Sequence, residues 1–159
     1  MLKIRKASIK DVPEIVDVNI KSWESTYFNL LPENVVLYPR IKRENIIKQY
    51  TNYLIQYDNF IVMEYGNKII GFLIYRNDKF ESLYLLKEYQ GLGYGTKIFK
   101  YGMELLKRNG YKKMYLNVVV GNNNAIKFYK KFGGEIIDRH TLNVMGEDID
   151  EYEMIFELL

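Results

Sequence analysis

Apolar residues follow two different spacings along the chain, and each spacing predicts one kind of secondary structure. Near the N-terminus, apolar and basic residues alternate over Leu2–Arg5, which predicts a short strand. Apolar residues at helical spacing then predict a helix that begins near Asp11, with Ser8 as its N-cap. A second helix is predicted over Ile41–Tyr57, and the prolines of Asn29–Pro39 predict a loop before it.

The middle of the chain predicts an antiparallel meander, because three apolar runs follow one another with only short polar breaks. The predicted strands are Phe60–Tyr65, Lys68–Arg76 and Phe80–Leu86. Gly66–Asn67 suits a tight turn between the first two strands.

Helical and strand spacings alternate in the rest of the chain. The predicted elements are a helix from about Gly93 to Asn109, a strand over Lys113–Val120, a helix over Asn122–Phe132, and strands over Glu135–His140 and Glu151–Leu158 with an acidic turn at Gly146–Asp148. The order β-α-α-β-β-β-α-β-α-β-β predicts an α+β (mixed α/β) fold. In it, about four helices flank a mostly antiparallel, twisted sheet of about six to seven strands. We expect one domain over residues 1–159.

Composition excludes several kinds of chemistry. The chain has no cysteine and one histidine, His140, so it has no disulfide, no thiolate zinc site and no cysteine nucleophile. One histidine also makes a Ser-His-Asp triad or a His-rich metal site a poor hypothesis. A net charge of +3 is too small to indicate nucleic-acid binding, and no apolar run suits a membrane helix. We expect a cytoplasmic protein with no metal, nucleic acid or membrane among its partners.

The glycine-rich segment Gln90–Thr96 carries the strongest chemical signal. It follows a predicted strand and opens a predicted helix, so backbone N–H groups there can surround a pyrophosphate. A nucleoside-triphosphate loop needs Gly-Lys before Ser or Thr, whereas this chain has Gly95-Thr96-Lys97. The spacing G-x-G-x-G also departs from the dinucleotide fingerprint G-x-G-x-x-G. Taken alone, the segment is equally compatible with a glycine-cushioned helix start that binds nothing.

The segment Leu83–Thr96 resembles the acetyl-CoA motif of the GNAT superfamily of N-acetyltransferases. That motif is Gln/Arg-x-x-Gly-x-Gly/Ala after a strand end, and it is matched here by Gln90, Gly93 and Gly95. Lys87 stands where many members carry proline, a departure that leaves the chemistry unaffected.

A second segment, Asn122–Gly133, resembles the GNAT motif N-x-x-A-x-x-F-Y-x-x-x-G. Asn122 is a good N-cap, and the aromatic residues of the segment share one helix face. The two segments follow one another in the family's order with a strand between them. Together they resemble the family more specifically than either does alone.

The resemblance implies that acetyl-CoA is a co-substrate. It implies that the pantetheine arm enters where two parallel strands separate, here Phe80–Leu86 and Lys113–Val120, and that a backbone N–H within Leu83–Leu85 stabilises the developing oxyanion. The residues then expected to bind the coenzyme are Leu83, Tyr84, Leu85, Gln90, Gly91, Leu92, Gly93, Tyr94, Gly95, Thr96, Asn122, Ala125 and Tyr129.

The resemblance also implies the catalytic residues. Tyr129 matches the family's general acid, since a phenol with a pKa of ~10 is protonated at neutral pH and can donate its proton as the thiolate departs. From its spacing alone, Tyr129 would instead be an ordinary core aromatic. Glu81 is the candidate general base that takes the proton of the amine. A water relay, with Glu81 as a solvated strand residue, is the alternative.

The acceptor side is predicted least specifically. Trp23, Glu24 and Tyr27 at the end of the first helix resemble an acceptor-binding segment of some GNAT members and could hold a cationic amine. Core packing of Trp23 and a surface position for Glu24 are the alternatives. We expect a small, polyamine-like primary amine as acceptor, with a protein N-terminus or lysine as runner-up. A catalytically inactive acyl-CoA-binding module and an unrelated nucleotide-binding domain are competing hypotheses. A homodimer is expected from the family.

Overall fold

A computed structural model describes all residues of the chain, 1–159. Seven strands form one sheet in the spatial order β1-β2-β3-β4-β5-β7-β6. The strands are β1 (Leu2–Lys6), β2 (Phe60–Tyr65), β3 (Lys68–Arg76), β4 (Lys79–Leu85), β5 (Lys113–Val119), β6 (Glu135–Val144) and β7 (Glu147–Glu157). All neighbouring strands are antiparallel except β4 and β5. The predicted mixed, mostly antiparallel sheet is confirmed.

Four long helices and two short ones accompany the sheet. They are α1 (Val12–Tyr27), α2 (Glu33–Val36), α3 (Tyr38–Ile41), α4 (Arg43–Tyr57), α5 (Tyr94–Arg108) and α6 (Asn123–Lys131). One 3-10 turn, Ile9–Asp11, leads from Ser8 into α1, and a second, Lys87–Tyr89, follows β4. None of the helices is both long and apolar enough to cross a lipid bilayer.

The helices cover opposite faces of the sheet because successive side chains of a strand point to opposite sides. On β3, Phe72 packs against Tyr50 of α4, with ring centroids 6.5 Å apart. The next residue, Leu73, lies under Gly102 of α5, so close that an added Cβ at Gly102 would come within 2.5 Å of it. α1 packs beside α4, and the Asn19 side chain donates to the Tyr50 hydroxyl at 3.2 Å.

The central strands β4 and β5 pair over a very short length. Their parallel register joins Lys79 to Tyr115 and Phe80 to Leu116, and it goes no further. β4 also carries a bulge: Ile74 pairs with Ser82 and Tyr75 with Phe80, which leaves Glu81 as the extra residue. Because β4 and β5 separate beyond this point, the edge of β4 from Glu81 to Leu85 has no neighbouring strand on that side.

Two predictions about local structure were wrong. The predicted loop Asn29–Pro39 contains α2 and the start of α3. Pro32 is the N-cap of α2, and Pro39 lies in the first turn of α3, where its missing N–H costs no helical hydrogen bond. The predicted turn Gly146–Asp148 is instead Met145–Gly146, both with positive φ, and the flanking strands extend further than their apolar runs.

Candidate active site

The loop between β4 and α5 presents a row of backbone N–H groups without partners in the protein. None of the six consecutive amides from Gly91 to Thr96 donates a hydrogen bond to another backbone group or side chain. Gly91 and Gly93 have φ values of 76° and 86°, which other residues rarely adopt, and the space beside both is open. α5 begins directly after Gly93, and its dipole adds partial positive charge. These features suit a bound anion with several oxygens.

The side chain of Gln90 fixes this loop to the strand before it. Its Nε2 donates to the carbonyl oxygen of Leu85 at 2.9 Å. The loop also lies against α6, since a Cβ at Gly95 would stand 3.7 Å from the ring of Phe128. The two segments singled out in the sequence are therefore neighbours in space.

Tyr129 of α6 lies in an aromatic cluster on the face covered by α5. Its ring centroid is 5.8 Å from that of Phe99 and 6.3 Å from that of Phe156. Burial raises the pKa of the Tyr129 hydroxyl above that of an ordinary phenol, and the nearby Tyr27 raises it further. The hydroxyl therefore keeps its proton at neutral pH, as a general acid must.

Tyr27, at the end of α1, contacts both β4 and the start of α6 near the point where β4 and β5 separate. Burial raises the pKa of its hydroxyl, while contacts with the side chains of Tyr84 and Asn122 oppose that effect. Tyr84 of β4 is half-buried, and its removal from water raises its pKa well above the ordinary value. Asn122 is the N-cap of α6, as predicted, and its side chain accepts from the Ala125 N–H at 3.5 Å.

A cavity of about 280 Å³ opens on the α1 side of this separation. Trp23 lines it and is held by two contacts: its Nε1 donates to the Val35 carbonyl at 3.0 Å, and its ring meets that of Tyr27 edge-on at 4.7 Å. The polar and aromatic part of the wall consists of Trp23, Tyr27, Lys79, Phe80, Glu81, Tyr84, Asn117 and Glu151. Its carboxylates and aromatic faces suit a cation.

The sequence model of the acetyltransferase (GNAT) family matches residues 19–134 of this chain. The match covers most of the sequence and includes the second half of α1, the glycine loop and α6. The chain belongs to the GNAT family of acetyltransferases. It is accordingly an acetyl-CoA-dependent N-acetyltransferase, and the expected class of enzyme is confirmed.

Individual relatives of this acetyltransferase agree with that assignment. The probable N-acetyltransferase san of Drosophila melanogaster is 37% identical over 46% of this chain, which corresponds to 45% of its own length. The uncharacterized N-acetyltransferase YuaI of Bacillus subtilis is 24% identical, over 95% of this chain and 90% of its own.

A solved structure shares the fold. The crystal structure of the PaiA N-acetyltransferase from Thermoplasma acidophilum in complex with coenzyme A superposes with a TM-score of 0.81. The match covers 99% of each chain at 24% sequence identity. The predicted GNAT-type architecture is thereby confirmed.

Glu81, the candidate base of this acetyltransferase, stands at the bulge of β4 and lines the cavity. It is exposed, and its carboxylate accepts a hydrogen bond from the Tyr53 hydroxyl of α4. Burial, followed by this contact with Glu81, raises the pKa of Tyr53 to about 12. Tyr53 thus remains a donor across the physiological range. No sequence pattern singled out Tyr53, because the contact depends on how α4 packs.

The three residues expected on the acceptor side are not all brought together. Trp23 and Tyr27 line the cavity, whereas Glu24 does not. Glu24 instead forms a bidentate ion pair with Arg40, with distances of 2.7 Å and 2.9 Å. The Nε2 atom of His140, the one histidine of the chain, lies 3.1 Å from a carboxylate oxygen of Glu151.

Two further cavity residues, Asn117 and Glu151, were missed in the sequence. Asn117 lies within an apolar strand, where only the tertiary arrangement shows which face it occupies. Glu151 was placed at the start of a predicted strand, but several acidic residues nearby gave it no distinction.

Proposed function

We propose that the enzyme acetylates a small, polyamine-like primary amine by direct attack within a ternary complex. The observation that carries this proposal is the arrangement around the separation of β4 and β5. Unpartnered amides and the half-buried Tyr129 lie toward α5 and α6, and an acidic, aromatic cavity lies toward α1.

The coenzyme half of the proposal assigns the diphosphate of acetyl-CoA to the amides of Gly91–Thr96. The free edge of β4 around Leu83–Leu85 would pair with the pantetheine arm as an added strand does. A backbone N–H of the same edge would stabilise the developing oxyanion. Asn122 and Ala125 would lie along the coenzyme at the start of α6.

The chemical step moves one acetyl group from sulfur to nitrogen. Glu81, directly or through a water, takes one proton from the ammonium form of the acceptor, and the uncharged nitrogen then attacks the thioester carbonyl carbon. The carbon–sulfur bond breaks, and Tyr129 donates its proton to the leaving thiolate. Because burial raises the pKa of Tyr129, its phenolate readily takes back a proton from the acetylated nitrogen. The products are a neutral amide, free coenzyme A and one proton on Glu81.

The size and charge of the cavity support the nature of the acceptor. A volume of about 280 Å³ lies just below the range of roughly 300–1,000 Å³ that ligand pockets occupy. Glu81 and Glu151 face it, and Lys79 is the only basic residue of its wall. A short cationic chain suits this wall better than a bulky or anionic acceptor.

The test is a panel of acceptors assayed for thiol release from acetyl-CoA. It would contain diamines, simple monoamines, a lysine-containing peptide and peptides with free N-termini. We expect the highest kcat/KM for a diamine. A higher kcat/KM for a peptide would instead make a protein N-terminus or lysine the acceptor. An increase in melting temperature with acetyl-CoA but no thiol release with any amine would indicate a binding module instead.

A further inference from the structure

Asn117 has a polar side chain without a partner in the protein. Neither end of its amide takes part in a hydrogen bond within the protein, and its Oδ1 is buried. The next residue of β5 on the same face, Val119, is buried and apolar, so packing alone does not call for an amide here. A buried carbonyl without a donor costs free energy that a ligand N–H or a water would recover. Asn117 lines the cavity where such a ligand would lie.

Glu151 lies on the same face of the sheet as Asn117. β5 and β7 are antiparallel, with Asn117 opposite Glu153 and Val119 opposite Glu151, so Glu151 is two residues away along the sheet. Val119 and Tyr27 are in one apolar cluster, which places this face toward α1. The Glu151 side chain is 20% exposed, and its only ion-pair partner is His140.

These two residues add hydrogen-bond acceptors to a wall that already has Glu81. The wall therefore offers two carboxylates and one amide carbonyl to a ligand, against one lysine, Lys79. Such a wall favours a ligand with N–H groups and positive charge. It disfavours a ligand that carries a carboxylate beside its amine, because that carboxylate would lie near Glu81 or Glu151.

We infer that Asn117 and Glu151 are specificity-determining residues of the acceptor site. Asn117 accepts an N–H of the acceptor, and Glu151 pairs with a second cationic centre further along its chain. The inference rests on the proposed function and sharpens it: the substrate is a diamine or polyamine without a carboxylate, rather than a monoamine or a free amino acid.

Trp23 allows this inference to be tested without turnover. It is the only tryptophan of the chain, and it lines the cavity. Binding of an amine should therefore change the tryptophan emission, and a titration gives the Kd. The probes are diaminobutane, butylamine and ornithine, which share a chain length and differ in their second amine and carboxylate. We expect diaminobutane to bind about tenfold more tightly than butylamine, as one charged hydrogen bond provides. Ornithine should bind more weakly than diaminobutane.

The variants separate the two roles. Glu151→Gln should raise the Kd for diaminobutane about tenfold and the Kd for butylamine less than about twofold, because only the diamine reaches Glu151. Asn117→Leu should raise the Kd for both amines by similar factors. It should also raise the KM for the amine substrate and leave the KM for acetyl-CoA unchanged. Glu157→Gln, the same change on β7 at an exposed position outside the cavity wall, is the control. If acetyl-CoA no longer raises the melting temperature of Asn117→Leu, the binding titrations are repeated with Asn117→Thr.

Unchanged binding of all three probes in both variants would overturn the inference. So would a preference for ornithine, or failure of every amine to alter Trp23 emission in the wild type. The proposed acetyl transfer is tested separately, by thiol release. Thiol release with a peptide amine alone would support acetyl transfer and contradict the diamine specificity.

Discussion

The two sides of the separation between β4 and β5 are built from different atoms. On the coenzyme side, consecutive main-chain amides of one loop face the space beside α5. On the acceptor side, most of the wall consists of side chains from α1, α2, β4, β5, β6 and β7, which are distant in sequence. A main-chain site constrains glycine spacing and therefore leaves a pattern in the sequence. A site assembled from scattered side chains leaves none.

The two sides also differ in charge. Residues 94–131, which contain α5, β5 and α6, have nine basic residues and one acidic residue. Residues 135–157, which form the β6–β7 hairpin, have eight acidic residues against one arginine and one histidine. The net charge of +3 conceals this division. We expect it to direct the anionic coenzyme and the cationic acceptor toward different parts of the molecule.

The largest effect should follow from the residue between the two sides. Tyr129→Phe removes the proton donor and keeps the aromatic packing, so kcat should fall about a hundredfold while the affinity for acetyl-CoA stays within about threefold. Steady-state kinetics and a melting-temperature titration measure the two quantities. Tyr115→Phe, on β5 outside the cavity wall, is the matched control. Undiminished turnover in Tyr129→Phe would remove Tyr129 from the acid role.

The coenzyme side alone should respond to a change in its loop. Gly93→Ala places a Cβ on a residue with φ 86°, which strains the loop and turns its amides. The KM for acetyl-CoA should rise about tenfold, with little change in the KM for the amine. Gly110→Ala is the control, because Gly110 also has positive φ and open space but lies at the other end of α5. If both variants raise the KM for acetyl-CoA equally, backbone strain is responsible, rather than the loss of anion binding by the amides of Gly91–Thr96.

Glu81→Gln should affect the acceptor side of the reaction. We expect kcat/KM for the amine to fall about tenfold at neutral pH, and the loss to shrink as the pH approaches ~10, where the amine loses its own proton. The KM for acetyl-CoA should not change. A rate profile of the same shape as that of the wild type would favour the water relay.

A smaller effect is expected at the base of α1, which carries Trp23 and Tyr27. Arg5 donates to both carboxylate oxygens of Asp11, at 2.8 Å and 3.1 Å, and this pairing lowers the pKa of Asp11 to about 2. The unfolded value is ~3.9, so the stabilisation is complete above that pH and is lost as the pH falls toward ~2.

Asp11→Asn should therefore destabilise the protein by about 1–2 kcal/mol at neutral pH, and by progressively less below pH ~4. Urea unfolding at several pH values measures the difference. Acetyl-CoA should still raise the melting temperature of the variant, because the coenzyme loop does not depend on α1. A difference that stays constant down to pH ~2 would contradict the role of the ion pair.

The contrast between main chain and side chains also explains what the sequence could predict. The strands, the long helices and the N-cap Asn122 follow from local spacing and turn chemistry. The segment 29–39 did not, because Pro32 and Pro39 suit helix starts as well as loops. The bulge at Glu81 and the face on which Asn117 lies depend on how the strands pair, and the Tyr53 contact depends on how α4 packs on the sheet. No local pattern encodes these tertiary arrangements.

A crystal structure with bound coenzyme A would test the central claim most directly. The account predicts the diphosphate within hydrogen-bond distance of the amides of Gly91–Thr96 and the sulfur beside the Tyr129 hydroxyl. A diphosphate bound elsewhere, or a sulfur out of reach of Tyr129, would contradict it.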